Sequence, residues 1–288
     1  MEEAVALSGI FIDAGPVAQI KTRSPKVTTL KDINRGTIYD GPLLILVNGN
    51  SASASEMVAG TLQDYHRALI AGSPTFGKAT AQVVLPMDTT IDLESGRGQA
   101  ASASSYIKLT TSKLYRINGT SAQISGVKPD ILLPEPPDAS LRREADEKFA
   151  LSSSVIEANK YYMALPPLPV AAVQSVAAKM LETDSFFREA LHPSAPVKNN
   201  TIGKKDIDLD LDDVLRERKL ESGLPAGPAS PTTKPNGNAF FVVMNHAYEN
   251  RRLQSDHELQ EINEERKKGL SYDPYVRAAY QLVAAMIK

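Results

Sequence analysis

The chain has 288 residues, 34 acidic and 32 basic side chains, a formal charge of -2 and no cysteine. This length is enough for one large domain or two smaller ones, each with its own core. The balanced charge and the lack of a basic block do not suggest a nucleic-acid-binding protein. The lack of cysteine excludes disulfides, zinc–thiolate sites and thiol catalysis. No apolar run reaches the roughly 18 residues that predict a membrane span.

The first elements in chain order are a helix over residues 2–13, ended by Gly15 and Pro16, and a short strand at 17–21. The opening residues are acidic where a secretory signal is basic. We therefore expect either a cytosolic protein or a sequence that begins inside a longer one.

The next elements alternate between strand and helix. An apolar strand at 43–47 leads through a run of small residues into a helix that ends near His66, and a second apolar strand follows at 68–71. This order predicts a βαβ unit with a parallel sheet. Additional strands are predicted at 83–85, 106–109 and 113–117. The first half of the chain is therefore predicted to be an α/β domain with additional β-strands.

The proline-rich stretch Pro134 to Pro137 is predicted to divide the chain into a first region, 1–134, and a mainly helical C-terminal region, 135–288. Helices are predicted over 138–151, 170–191 and 239–268, and a last helix begins at Asp273 and Pro274. The segment 221–238 is rich in proline, glycine and serine, and it is predicted to be a flexible loop.

Serines occupy the junction between the strand 43–47 and the helix that follows it. A helix N-terminus presents free N–H groups and a positive dipole end, which stabilise negative charge on an acyl oxygen. We therefore expect a nucleophile for acyl transfer at Ser51, Ser53 or Ser55, and the spacing does not choose among them. Ser53 and Glu56 also have the spacing of a capping box, so a purely structural role is the alternative.

A lysine is the predicted base for such a serine. His66 lies at the far end of the same helix, about 20 Å from Ser53 at 1.5 Å per residue. Lys78 follows the returning strand, and parallel strands present their C-terminal ends at the same edge of a sheet. A lysine acts as a base when an apolar pocket keeps its amine neutral.

A phosphate-binding loop is a competing interpretation of the same segment. Gly72 to Lys78 matches a P-loop up to the lysine. However, Ala79 replaces the hydroxyl residue that would bind magnesium, and the residues after it look like a strand instead of a helix. Nucleotide binding is therefore disfavoured.

Two stretches, Gly49 to Gln82 and Gly126 to Pro136, resemble the C-terminal processing peptidases, also called tail-specific proteases. The resemblance covers about residues 2–134, and the remainder resembles the helical C-terminal region of the long periplasmic members. It implies a crotonase-like fold, serine endopeptidase activity without a metal or organic cofactor, and a periplasmic location. The implied partners are protein or peptide substrates with accessible C-termini, and an adaptor protein or self-association would fit the family.

The resemblance assigns individual roles around the serine junction. The family's nucleophile falls on Ser53, its general-base lysine on Lys78 and its lysine-orienting glutamine on Gln82. The backbone N–H of Ala54 is the implied oxyanion donor. If Lys78 and Gln82 touch, the chain must turn or bulge between them, because residues four apart on a straight strand lie about 13 Å apart.

Two further expectations concern the acid Asp64 and the segments that precede the first helix in members of the family. Asp64 matches an acid that some long members need, and we expect a structural role for it with Arg67 as partner. Family members carry a PDZ domain and a glycine-rich loop before the first helix, and both are absent from this sequence. That loop supplies a second oxyanion donor. We therefore expect weak or no activity from this chain alone, and a noncatalytic remnant or binding module is the alternative function.

Overall fold

The computed structural model describes residues 1–87, 105–135, 142–192, 239–254 and 256–287. The chain forms two compact units. The first comprises Met1–Asp130 and Leu141–Leu168, and the second comprises Ile131–Ser140 and Pro169–Lys288. None of the helices in the described ranges is long and apolar enough to cross a membrane.

The first unit contains a four-stranded sheet. Its strands, numbered in chain order through the whole protein, are β1 (Gly15–Lys21), β2 (Val27–Asp32), β5 (Thr80–Pro86) and β6 (Tyr106–Tyr115). Their order in the sheet is β2-β1-β6-β5, and all neighbours run antiparallel. Strand β5 therefore lies at one edge and pairs only with β6 among the described strands.

Two features of this sheet differ from the predictions. Strand β2 was not predicted, but three β-branched residues, Val27 to Thr29, favour extended backbone and pair with β1. The strands predicted at 106–109 and 113–117 form the single strand β6. Strand β5 begins two residues after Lys78, where a P-loop would need a helix.

The predicted βαβ unit is present. Strand β3 (Leu44–Val47) leads to helix α2 (Ala54–Asp64) and strand β4 (Leu69–Gly72), and the two strands pair in parallel. Strand β4 is buried throughout, whereas Leu46 of the apolar strand β3 is 37% exposed.

Buried side chains from β1, α2, β4 and the loop after β6 form the core of the first unit. Those with at most 1% exposure include Val17, Leu62, Leu69, Ile70, Ile117 and Val127. Helix α1 (Glu2–Gly9) is shorter than predicted and buries Ala4 and Ser8. Leu7 of the same helix is exposed.

The second unit contains the short strand β7 (Ile131–Leu132) and the remaining α-helices of the described residues. These are α3 (Val170–Thr183), α4 (Ser185–Leu191), α5 (Ala247–Leu253), α6 (His257–Tyr272) and α7 (Pro274–Ile287). The loop predicted at 221–238 lies outside the described residues.

Capping aspartates explain where several of these helices begin. Asp184 accepts a hydrogen bond from the N–H of Phe186 and splits the predicted helix 170–191 in two. Asp273 caps α7 as predicted, and α6 continues past the expected stop at Gly269.

Two helix predictions were wrong over longer stretches. The helix predicted over 239–268 begins only at Ala247 and is interrupted after Leu253. In the described part of the helix predicted over 138–151, Glu144–Asp146 form only a 3₁₀ turn, which belongs to the first unit.

Candidate active site

Ser53 stands between β3 and α2 in an unusual backbone conformation. It is the N-cap of α2, with φ of 56° and ψ of -110°. A positive φ in a residue other than glycine stores about 1–3 kcal/mol of strain and persists only where the surroundings enforce it. Nucleophilic serines on sharp strand-to-helix turns show this kind of strain. The backbone therefore marks Ser53 among the three serines of the junction.

The carboxylate of Glu56 supplies the surroundings that hold this turn. Its side chain is buried and accepts four hydrogen bonds from two segments of the chain. The N–H of Ser53 donates to Oε2 over 2.8 Å, and the N–H of Lys78 donates to the same oxygen over 2.9 Å. The N–H of Gly77 and the hydroxyl of Thr75 donate to Oε1. One carboxylate thus joins the serine junction to the backbone at the lysine.

Burial and hydrogen bonding have opposite effects on the pKa of Glu56. Burial raises the pKa of this carboxyl above its ordinary value, while the four hydrogen bonds that it accepts act in the opposite direction. The predicted capping box accounts for only one of these four contacts, the one from Ser53.

Further backbone contacts fix the segment that carries Lys78. The N–H of Phe76 donates to the carbonyl of Ser51 over 2.9 Å. The N–H of Ala79 donates to the buried side chain of Gln123 over 2.7 Å. Gly77 has a φ of 95°, and a Cβ there would lie 2.8 Å from the carbonyl oxygen of Ile124. The lysine segment is therefore held on both sides.

Ser53 and Lys78 line the same pocket. Most of its remaining wall is apolar and includes Val17, Ala18, Met57, Leu114 and Ala122. The empty volume of the pocket, including its open mouth, is about 350 Å³. Both Ser53 and Lys78 are half-buried, and no hydrogen bond joins their side chains in the described structure. The structure thus brings the two predicted catalytic residues to one apolar cavity.

Ala54, which follows Ser53, is the first residue of helix α2, so its backbone N–H lies at the N-terminus of that helix. It has no hydrogen-bond acceptor among the described residues, as expected for the first N–H groups of a helix. A free N–H at a helix N-terminus can donate to an oxygen that becomes negatively charged.

Gln82 lies apart from the pocket. Its side-chain amide donates to the hydroxyls of Thr80 and Thr110 over 2.9 and 3.2 Å. The β5–β6 register shifts between Ala81 and Gln82, so an irregularity of the anticipated kind is present. No hydrogen bond joins the side chains of Gln82 and Lys78 in the described structure.

Asp64, the last residue of α2, pairs with Arg116 in place of the expected Arg67. Two oxygens of Asp64 accept from the Arg116 guanidinium over 2.6 and 3.1 Å, and Asn118 donates over 2.8 Å. Arg67 instead donates to backbone carbonyls, including that of Phe11. Burial raises the pKa of Asp64, and Arg116 opposes the shift. Arg116 also lines the pocket, so the Asp64 pair positions part of its wall.

Few sequence signals point to the residues that support this site. Thr75, Gln123 and Arg116 lie far from Ser53 in the chain and follow no local motif. Only Glu56 carried a signal, its capping-box spacing from Ser53.

Comparison with known proteins finds a family match for the first part of the chain. Residues 1–133 match the family model described as Peptidase family S41. The match covers 133 of the 288 residues, or 46% of the chain, and this stretch is called the S41 segment below. The resemblance seen in the sequence is confirmed, and the S41 segment includes Ser53, Lys78 and Glu56.

Curated relatives include two bacterial proteases. A tail-specific protease of Haemophilus influenzae is 38% identical over 161 residues, which are 56% of this chain and 22% of the relative. A carboxy-terminal-processing protease of Bartonella bacilliformis is 34% identical over 137 residues, 47% of this chain and 28% of the relative. The chain thus spans about a quarter of the length of these two relatives.

A solved structure of the photosystem II D1 C-terminal processing protease is also similar to this chain. The two are 32% identical with a TM-score of 0.37, and the match covers 46% of this chain and 31% of the other.

Proposed function

We propose that the S41 segment is a serine endopeptidase in which Ser53 is the nucleophile and Lys78 is the general base. The shared pocket is the observation that carries this proposal. Glu56, which binds the backbone N–H of both residues, supports it.

The proposed reaction passes through an acyl-enzyme. Neutral Lys78 takes the hydroxyl proton of Ser53 as Oγ attacks the peptide carbonyl, and the carbonyl oxygen becomes an oxyanion facing the N–H of Ala54. Protonated Lys78 then gives the proton to the leaving amine as the C–N bond breaks. Water, deprotonated by the same lysine, releases the acyl group and restores Ser53.

Gln82 remains the proposed lysine-orienting residue. To reach Lys78, its amide would have to leave the hydroxyls of Thr80 and Thr110. Binding of substrate beside β5 is one event that would exchange these contacts.

The names of the relatives, tail-specific protease and carboxy-terminal-processing protease, support a substrate that is cleaved at or near its C-terminus. We assign protein or peptide substrates with accessible C-termini, a periplasmic location and a crotonase-like fold for the first unit, whose parallel β3–β4 pair flanking α2 fits that fold. An adaptor protein or self-association belongs to the same proposal.

Labelling with a fluorophosphonate or boronate probe tests the chemistry. We expect Ser53 to be labelled in the unaltered chain and in Ser55→Ala, a control at an exposed serine of the same turn, but not in Ser53→Ala. Lys78→Ala should slow labelling by about 10²-fold or more. A folded chain that is not labelled would contradict the proposal and favour the noncatalytic binding module.

A further inference from the structure

The outer edge of β5 is open in the described structure. Strand β5 ends the order β2-β1-β6-β5, and only β6 pairs with it. An edge strand presents a row of unpaired N–H and C=O groups that can pair with another extended chain. Its seven residues give an edge of about 23 Å at 3.3 Å per residue.

This edge begins at the candidate active site. Lys78 and Ala79 line the pocket with Ser53, and Thr80 is the first residue of β5. Two residues span at most about 7 Å, so the edge starts within that distance of Lys78. Glu56 binds the backbone N–H groups of both Ser53 and Lys78. The position of the backbone just before the edge is therefore coupled to that of the candidate nucleophile.

The composition of β5 provides no charged side chain along the edge. Natural edge strands are often shielded by charged side chains, yet Thr80–Pro86 contains none, and its proline is the last residue. Val83, Val84 and Leu85 are 39%, 56% and 36% exposed. Adjacent residues of a strand point to opposite faces, so apolar surface is available on both faces beside the open edge.

We propose that the outer edge of β5 binds an extended segment of the peptide substrate as an additional strand, with a preference for uncharged side chains. This inference rests on the proposed peptidase function. The edge begins two residues after Lys78, which lines the pocket, and this proximity to the candidate nucleophile favours substrate over a second copy of the chain. Main-chain hydrogen bonds would supply affinity without requiring one sequence.

Singly N-methylated peptides test the proposed pairing. The protein is the full chain carrying Ser53→Ala, and the probe is a fluorescein-labelled peptide of about ten alanine, valine and serine residues. In strand pairing, every second amide of the peptide faces the protein edge. N-methylation of those amides should weaken binding about tenfold, whereas methylation of the intervening amides should change it little. Fluorescence anisotropy measures the profile.

Charge substitutions provide matched protein variants. Val84→Lys, made in the chain that carries Ser53→Ala, places a charge on the β5 edge and should weaken peptide binding. Thr28→Lys, at an exposed position of β2 on the opposite edge of the sheet, is the control and should bind peptide normally.

The outcomes separate this inference from the proposed function. Labelling of Ser53 together with a flat N-methyl profile, or with no peptide binding, overturns the role of the edge and leaves the peptidase standing. A dimer in sedimentation experiments that Val84→Lys dissociates would assign the edge to a second copy and also overturn it. A period-two profile without labelling would support peptide binding and contradict the chemistry.

Discussion

Glu56 is the residue on which the candidate site depends most. Its carboxylate accepts from four donors that belong to the serine junction and to the lysine segment. Buried donors that lose their acceptor cost free energy, because water does not replace the lost bond. The strained turn at Ser53 loses its support at the same time.

We therefore expect Glu56→Ala to lower the free energy of unfolding by about 2–4 kcal/mol and to abolish labelling of Ser53. Urea denaturation and probe labelling measure the two effects. Ser55→Ala, on the exposed side of the same turn, is the control and should change both very little. Equal stabilities of the two variants would contradict this role of the carboxylate.

Tyr65 gives a pH-dependent prediction. Its side chain is 6% exposed, its hydroxyl donates to the carbonyl of Pro16, and burial raises its pKa from 10.0 to about 12. Between these values the unfolded chain loses the proton first, so the free energy of unfolding falls as pH rises. The loss attributable to Tyr65 should reach about 2–3 kcal/mol.

Urea unfolding from about pH 9 to 12, compared with Tyr65→Phe, isolates this contribution. The difference in unfolding free energy between the original chain and the variant should decrease across the range. A constant difference would show that Tyr65 ionises equally in the folded and unfolded chains.

Among the elements, the parallel pair of β3 and β4 depends on a close backbone approach at Gly72. Its φ is 128°, and a Cβ at this position would clash with the carbonyl oxygen of Val47. We expect Gly72→Ala to destabilise the protein by about 3 kcal/mol or more, since both strain and a backbone clash must be relieved.

Gly36 provides the matched control for this prediction. It also has a positive φ, 87°, but a Cβ there would meet no atom within 4 Å. Gly36→Ala should therefore cost only about 1 kcal/mol in a denaturant titration. Similar losses for both variants would mean that the close approach at Gly72 has no energetic weight.

Elements that depend on local sequence signals could be predicted, whereas elements that depend on long-range pairing could not. Apolar runs predicted β3 and β4, and the aspartate at position 273 predicted the start of α7, because these signals are local. Strand β2 was missed since its polar sequence becomes a strand by pairing with β1. At the site, motif and resemblance brought forward Ser53 and Lys78, whereas the pairing of Asp64 with Arg116 depends on long-range packing.

At the scale of the whole molecule, the division into two units predicts that a substitution can destabilise the second unit without changing the reactivity of Ser53 in the first. In the second unit, Arg277 of α7 pairs with Asp184, and its guanidinium carbon lies 4.2 Å from the ring centroid of Phe240. Arg277→Ala should lower the stability of this unit by about 1–3 kcal/mol. Labelling of Ser53 should be retained, because the catalytic residues belong to the other unit.

Hydrogen exchange of the amides in α7 measures this effect. Arg266→Ala, at an exposed position of α6, is the control and should leave their protection unchanged. Loss of Ser53 labelling in Arg277→Ala, with the first unit still folded, would show that the second unit controls the chemistry.

The positive φ of Ser53 restricts which nucleophiles evolution or design can place there. Threonine carries the same hydroxyl, but its branched β-carbon makes a φ of 56° a severe steric outlier. Cysteine is unbranched and suits this backbone better, although it changes the attacking atom from oxygen to sulfur. At this position, side-chain shape therefore limits substitution more strictly than the identity of the reactive group.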